Sequence, residues 1–139
     1  MRRPILVVLM LLTLIITIAS CQNGKGIEFN RYYSAGNVVY QAHCQNCHGT
    51  KGEGLKGLIP PLTDSAWFKN NKATLACSLK NGLKGNITIS SKQYSGEMPP
   101  TDLSPLEIAQ VVTYVTNAFG NKMATTTTEQ VDADLAKCR

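Results

Sequence analysis

Residues 41–50 read QAHCQNCHGT, and three of them could do chemistry together: Cys44, Cys47 and His48. A Cys-x-x-Cys pair serves as half of a zinc site, as a redox dithiol or as an attachment point for c-type haem, and each use needs different companions. Structural zinc wants a second pair of ligands, but His43 is the only other histidine and Cys77 and Cys138 stand isolated. A thioredoxin-type dithiol sits at a strand-to-helix junction of a βαβ unit, and the chain shows no alternation of strands and helices. His48 directly after Cys47 completes Cys-x-x-Cys-His, the attachment signature of c-type haem. Cysteines at i and i+3 share one helical face, so both sulfurs can reach the two vinyl groups along one porphyrin edge. His48 continues from that turn as the proximal iron ligand. The expected cofactor is haem c, one per chain, covalently attached through Cys44 and Cys47.

The second axial ligand decides what such a haem does. A sulfur or nitrogen ligand favours electron transfer, whereas an open position allows gas binding or peroxide chemistry. His43 sits on the same short helix as His48, on the proximal side. Met1 and Met10 fall in the N-terminal leader, which leaves Met98 and Met123. Met98 lies in QYSGEMPPTD, where Gly96 allows an unusual turn, Pro99 restricts Met98 to extended backbone and Pro100 stiffens the segment beyond it. Met123 lies in the polar stretch NKMATTTT, a mobile setting. Met98 is the expected distal ligand. The alternative is a haem-based gas sensor or ligand-binding module with an open or displaceable sixth position.

Helices must position these groups. The best marked is the closing one: Ser104 reads as its N-cap, Pro105 fits the first helical position and Glu107 completes a capping box. Leu103 and Ile108 are placed as a hydrophobic staple. Ile108, Val111, Val112, Val115 and Phe119 recur at helical spacing up to a stop at Gly120. A second helix is expected from about Ser34 to Cys47. Gly36 within it costs ~1 kcal/mol relative to alanine, a cost explained if another helix passes close to the backbone there. Shorter helices are expected near 64–70 and 71–81, the latter ended by Gly82. Residues 83–98 read as an extended loop with Ile87 and Ile89 alternating. The threonine run 125–128 reads as a short linker before a tail that could be helical to Lys137.

Taken in order, these features resemble a class I monohaem c-type cytochrome of the bacterial lipoprotein type. The likeness rests on Gly36 and Tyr40, Cys44, Cys47, His48 and Gly49, then PPL at 60–62, Met98-Pro99 and the closing helix IAQVVTYVTNAFGN. It covers residues 33–121. It implies an all-α class I cytochrome c fold, with about four to five helices wrapped around one covalently bound haem. It also implies that the Pro60 carbonyl accepts the second ring proton of His48, with Pro61 leaving the register open by one, and that Tyr114 or a neighbour meets Gly36. Such a bond to the far nitrogen of a ligating imidazole fixes its orientation and raises its basicity. His/Met ligation implies a relatively high potential. The partners implied are a quinol-oxidising complex such as alternative complex III, a terminal oxidase or nitrous oxide reductase.

The chain opens with Arg2 and Arg3 and an apolar run from Ile5 to Ala19. That run is too short for a membrane span, which needs ~20 residues, and has the form of an export signal. It ends in Ile18-Ala19-Ser20-Cys21, which resembles a bacterial lipobox and makes Cys21 the expected lipidation site. The organisation expected is a lipoprotein signal peptide at 1–20, a lipid-anchored linker at 21–33, a haem domain at 34–122 and a C-terminal tail at 123–139. The protein would then lie on the periplasmic side of a bacterial membrane, reaching at most ~45 Å above its anchor. In that oxidising compartment the remaining even pair, Cys77 and Cys138, is expected to form a disulfide worth ~4 kcal/mol in the chain-entropy model.

The formal charge of +5 falls to +3 without Arg2 and Arg3. That excess is too modest for nucleic-acid binding, and no basic stripe interleaves with aromatics. Seven lysines between Lys51 and Lys92 face only Glu53 and Asp64, whereas six acids between Glu97 and Asp134 face only Lys122. The basic stretch runs between the two expected ligands and should dock on acidic patches of redox partners. No nucleophile or acid–base pair is evident, so an electron-transfer protein and not an enzyme is expected.

Overall fold

The structure, a computed structural model, describes Pro4, Val7, Val8, Met10–Leu12 and Gly24–Cys138. The expected cleavage region and the lipidation residue Cys21 lie outside the described residues. Two compact units are present, residues 1–30 and residues 31–139. None of the described helices is long and apolar enough to cross a membrane.

Helix α1 runs Gly24–His43. It therefore begins well before Ser34, the start expected for it. Its buried residues Tyr32, Gly36 and Tyr40 recur every fourth position, which makes one inward stripe. Cys44 leaves the helical conformation, and the single turn α2, Gln45–His48, comes at once. Helix α3, Ser65–Asn71, is started by Asp64, whose side chain accepts from the amides of Ala66 and Trp67 at 3.0 Å each. A 3-10 turn, Lys72–Thr74, leads into α4, Leu75–Asn81, which stops at Gly82.

Residues 83–98 are more ordered than a loop. Strands β1, Ile87–Ile89, and β2, Lys92–Tyr94, pair antiparallel, with Ile87 opposite Tyr94 and Ile89 opposite Lys92. The connecting Ser90 and Ser91 both take positive φ, 49° and 61°, as a two-residue turn between right-twisted strands requires. The fold is thus mostly helical with one small sheet. From Gly24 to Cys138 the described residues hold six α-helices, α2 a single turn, and one 3-10 turn.

Helix α5, Pro105–Val115, carries the core, with Ile108, Ala109, Val111 and Val112 all essentially inaccessible. Each such aliphatic side chain contributes about 1.5–3 kcal/mol by leaving water. Its capping box is formed: Ser104 Oγ accepts from the Glu107 amide, and a Glu107 carboxylate oxygen accepts from the Ser104 amide at 2.8 Å. The helix ends at Val115, not at Gly120. Thr116 turns its hydroxyl back onto the Val112 carbonyl at 2.7 Å, and Phe119 takes a left-handed φ of 56°. In that conformation the Phe119 ring lies 5.4 Å from Tyr40 and 5.7 Å from Tyr114, so the aromatic contacts hold a backbone geometry that the side chain alone disfavours.

Gly36 lets α1 and α5 meet at the backbone. A Cβ there would run into the Gln110 carbonyl and stand 2.8 Å from Tyr114 Cβ. The tail is docked and not a linker leading into loose chain. Thr126 is buried, its amide donates to Thr113 Oγ1 at 3.0 Å, and that hydroxyl donates to the Thr126 carbonyl at 3.2 Å. Helix α6, Thr128–Leu135, starts from a second capping box, Thr127 with Gln130, and buries Val131. Beyond it Cys138 is joined to Cys77 of α4 as a disulfide, with Cα atoms 5.5 Å apart.

Candidate haem-binding site

The position of Cys44, Cys47 and His48 is set by where α1 ends. The Cys44 amide still donates to the Tyr40 carbonyl at 2.8 Å, and the His48 amide donates to the Cys44 carbonyl at 2.9 Å. Residues 44–48 are therefore one continuous turn fixed to the end of α1. Tyr40, buried under this turn, donates its hydroxyl to the Gly49 carbonyl at 2.6 Å and so pins the chain just after His48. Burial drives the Tyr40 phenol well above its usual range, which keeps it a donor.

The His48 ring stands with Nδ1 3.1 Å from the Pro60 carbonyl oxygen. A carbonyl only accepts, so Nδ1 carries the proton and Nε2 keeps a free lone pair. Pro60, not Pro61, supplies the oxygen. Burial lowers the His48 pKa, and the Pro60 bond partly opposes this. The ring is thereby held in the neutral state that a metal ligand needs. Both Cys44 and Cys47 are free of any disulfide. Burial, then the neighbouring Cys47, pushes the Cys44 thiol up to about 11. That is the opposite of a thiolate activated for disulfide exchange. Among the described residues no group of three or more Cys, His, Asp or Glu side chains is placed to hold a metal ion.

Met98 comes from the far side of the chain. Its amide and carbonyl pair with those of Leu83, both at 2.9 Å. The loop before it is held by the Gly96 amide donating to the Leu58 carbonyl at 3.0 Å, and the loop after it by the Thr101 amide donating to Leu79 at 3.0 Å. Gly82 is the residue that allows this approach. Its φ of +73° suits glycine, and a Cβ there would collide with the Met98 carbonyl and stand 2.8 Å from Pro100 N.

Cys44, Cys47, His48, Pro60 and Met98 all line one cavity, together with His43. The rest of its wall is largely apolar, with Leu62, Phe68, Leu79, Ile87 and Ile89 joined by Val111, Val112 and Val115 of α5. It has a volume of about 190 Å³ and opens to solvent. Folded chains fill apolar space of this size with side chains or with an occupant. Two thiols, an imidazole and a thioether on largely apolar walls are the donor chemistry that a haem needs. Met123 is not among the lining residues and packs against the core, its amide donating to Asn117 Oδ1 at 2.9 Å. Cys77 and Cys138 lie away from the cavity wall.

Three contributors escaped sequence reasoning. Asn121, almost fully buried, donates to the carbonyls of Leu62 and Val115 at 2.7 and 2.8 Å and accepts from Ser65 Oγ at 2.7 Å. It thereby ties the end of α5 to the segment after Pro60. Gly82 was legible as a helix stop but not as the bed for Met98. Ser90, whose hydroxyl donates to Asp64 Oδ2 at 2.7 Å, fastens the hairpin to the start of α3.

Comparison with known proteins agrees with this geometry. The family model described as cytochrome C oxidase, cbb3-type, subunit III matches residues 32–115. The cbb3-type cytochrome c oxidase subunit CcoP of Rhodobacter capsulatus is 31% identical over 91 residues, covering 64% of this chain and 30% of its own length. The chain therefore spans less than a third of that relative. With a motif-bearing turn and an apolar cavity inside the matched stretch, the chain belongs to the cbb3-type subunit III family and is a monohaem c-type cytochrome.

Proposed function

We propose that the chain is a membrane-anchored carrier that passes single electrons between respiratory partners. When bound, haem c supplies a one-electron iron couple. Cys44 and Cys47 would hold it by two thioethers, one haem per chain. His48 and Met98 would be its iron ligands, with the Pro60 carbonyl fixing the imidazole's orientation. The apolar wall of α5 and the β1–β2 hairpin would lower the dielectric around the haem. The relative's name points to a terminal oxidase complex as the partner class, with a quinol-oxidising complex or nitrous oxide reductase as the alternatives. The lysines between Lys51 and Lys92 dock on acidic patches of that partner. Cys21 carries the lipid, and the domain faces the periplasm. The observation that supports this most is the convergence of Cys44, Cys47, His48 and Met98 on one apolar cavity.

An optical spectrum of the haem-loaded protein, oxidised and reduced, with and without carbon monoxide, tests it. The expected result is a covalent c-type spectrum with the weak iron–sulfur charge-transfer band, unmoved by carbon monoxide. A high-spin spectrum that shifts with carbon monoxide would replace the carrier with a gas-binding module.

A further inference from the structure

The cysteine pair outside the haem motif sits one short helix away from the distal ligand. Met98 and Thr101 are both bonded to residues of the α4 exit. Leu83 pairs with Met98 in both directions at 2.9 Å, and the Leu79 carbonyl accepts from the Thr101 amide and the Thr101 hydroxyl, each at 3.0 Å. Gly82, between them, beds the Met98 carbonyl. Wherever the end of α4 goes, the thioether goes too.

Helix α4 has only seven residues, about two turns, and a helix that short does not hold itself in water. Its first residues, Leu75 and Ala76, are in the core. Its exit end, which carries the Met98 contacts, reaches the core only through half-buried Leu79. Cys77 lies between the two ends and is bonded to Cys138, at the end of the docked tail. The tail is anchored independently, by the Thr113–Thr126 bonds, by buried Val131 and by Tyr32 Oη against Thr128 Oγ1 at 3.1 Å. The tail also lies beyond residues 32–115, the stretch matched by the family model.

We propose that Cys77 and Cys138 are positioning residues for Met98: through α4, their disulfide braces the ligand-bearing segment against the cavity. This rests on the His48/Met98 ligation above. Opening the bridge with a dithiol transfers two electrons and two protons to the cysteine pair and leaves the reagent as its cyclic disulfide. The distal segment then gains freedom while the motif turn, which hangs on α1, does not.

The test uses the full haem-loaded chain and its Cys77→Ser/Cys138→Ser double variant. The expected variant keeps covalent haem and helical content, loses about half or more of the charge-transfer band and binds carbon monoxide in the ferrous state. A folded variant with an unchanged band and no carbon monoxide binding overturns the brace, even if its Tm falls. A parent protein that itself lacks the band or binds carbon monoxide overturns the His/Met ligation, and the brace with it. If the double variant does not fold, the folded parent is treated with a dithiol under carbon monoxide. Carbon monoxide binding that grows in step with release of two thiols supports the brace, and full thiol release without it refutes it.

Discussion

The two sides of the haem cavity are built by opposite means. On the proximal side, Cys44, Cys47 and His48 stand on one turn that continues α1, and only the Pro60 carbonyl comes from elsewhere. On the distal side, Met98 sits in a segment with no regular structure of its own. It is held by Leu58, Leu79, Gly82 and Leu83, which come from two other parts of the chain. A local turn forms when its few residues find helical dihedrals. A ligand loop fixed by remote partners is placed only when those partners are placed, and stability in such segments is lower than in the core. The proximal side should therefore survive perturbations that loosen the distal one.

Gly36→Ala should have the largest effect on stability. The added methyl meets the Gln110 carbonyl and the Tyr114 Cβ, neither of which is a flexible side-chain end. Forcing α1 from α5 is expected to cost about 3 kcal/mol, read as a fall in the thermal or denaturant midpoint. The contrast sharpens if the folded fraction still shows the parent's spectrum, because the motif turn moves with α1 as a unit. Loss of the charge-transfer band in folded Gly36→Ala protein would mean that the proximal side is no more self-contained than the distal one.

Gly82→Ala should come next and should break the other side. A side chain at φ +73° and ψ −177° occupies a region essentially reserved for glycine, which costs about 1–3 kcal/mol. The methyl also points at the Met98 carbonyl and Pro99. The spectrum should change more than the stability: a weakened charge-transfer band and carbon monoxide binding in the ferrous state, in protein that remains folded at room temperature. An unchanged spectrum would show that Met98 does not depend on the α4 exit.

The same asymmetry decides what the sequence made legible. The motif, the cap of α5 and the close approach at Gly36 are consecutive or periodic signals, each carried by a few neighbouring residues. Met98 could be picked out by its prolines, but its partners Leu79 and Leu83 have no local mark, because ordinary leucines become clamps only through the turn at Gly82. The hairpin was hidden by Ser90-Ser91, since two-residue turns with positive φ are usually marked by Asn-Gly or a glycine pair. The closing helix looked longer than it is because Phe119 falls on the helical period, whereas Thr116 competes for the Val112 carbonyl and ends it. The threonine run looked like a linker on composition alone. One of its members, Thr126, is buried by a two-way pairing with Thr113 that no local pattern encodes.

The smallest expected effect belongs to Asp64, which joins the two kinds of construction in one carboxylate. It caps α3 locally through the Ala66 and Trp67 amides and holds the distant hairpin through the Ser90 hydroxyl. The Ser90 bond, foremost, and the amide bonds hold its pKa below the ordinary carboxylate value. A carboxyl depressed in the folded chain stabilises it fully above the unfolded value, about pH 4, and that contribution fades as the pH falls through the folded value. Asp64→Asn keeps an acceptor at the cap, since asparagine caps as well as aspartate, and removes the charge together with the oxygen that accepts from Ser90. The group is largely exposed to solvent, so at pH 7 the loss should be well under about 1 kcal/mol. The difference between parent and variant should shrink towards zero as the pH is lowered below about 4, and urea midpoints measured from pH 7 to pH 2 would show it. A gap that stays constant, or widens, on acidification would mean that the charge on Asp64 does not hold the hairpin, leaving the bridge to Leu83 as the main restraint on the distal segment from that side.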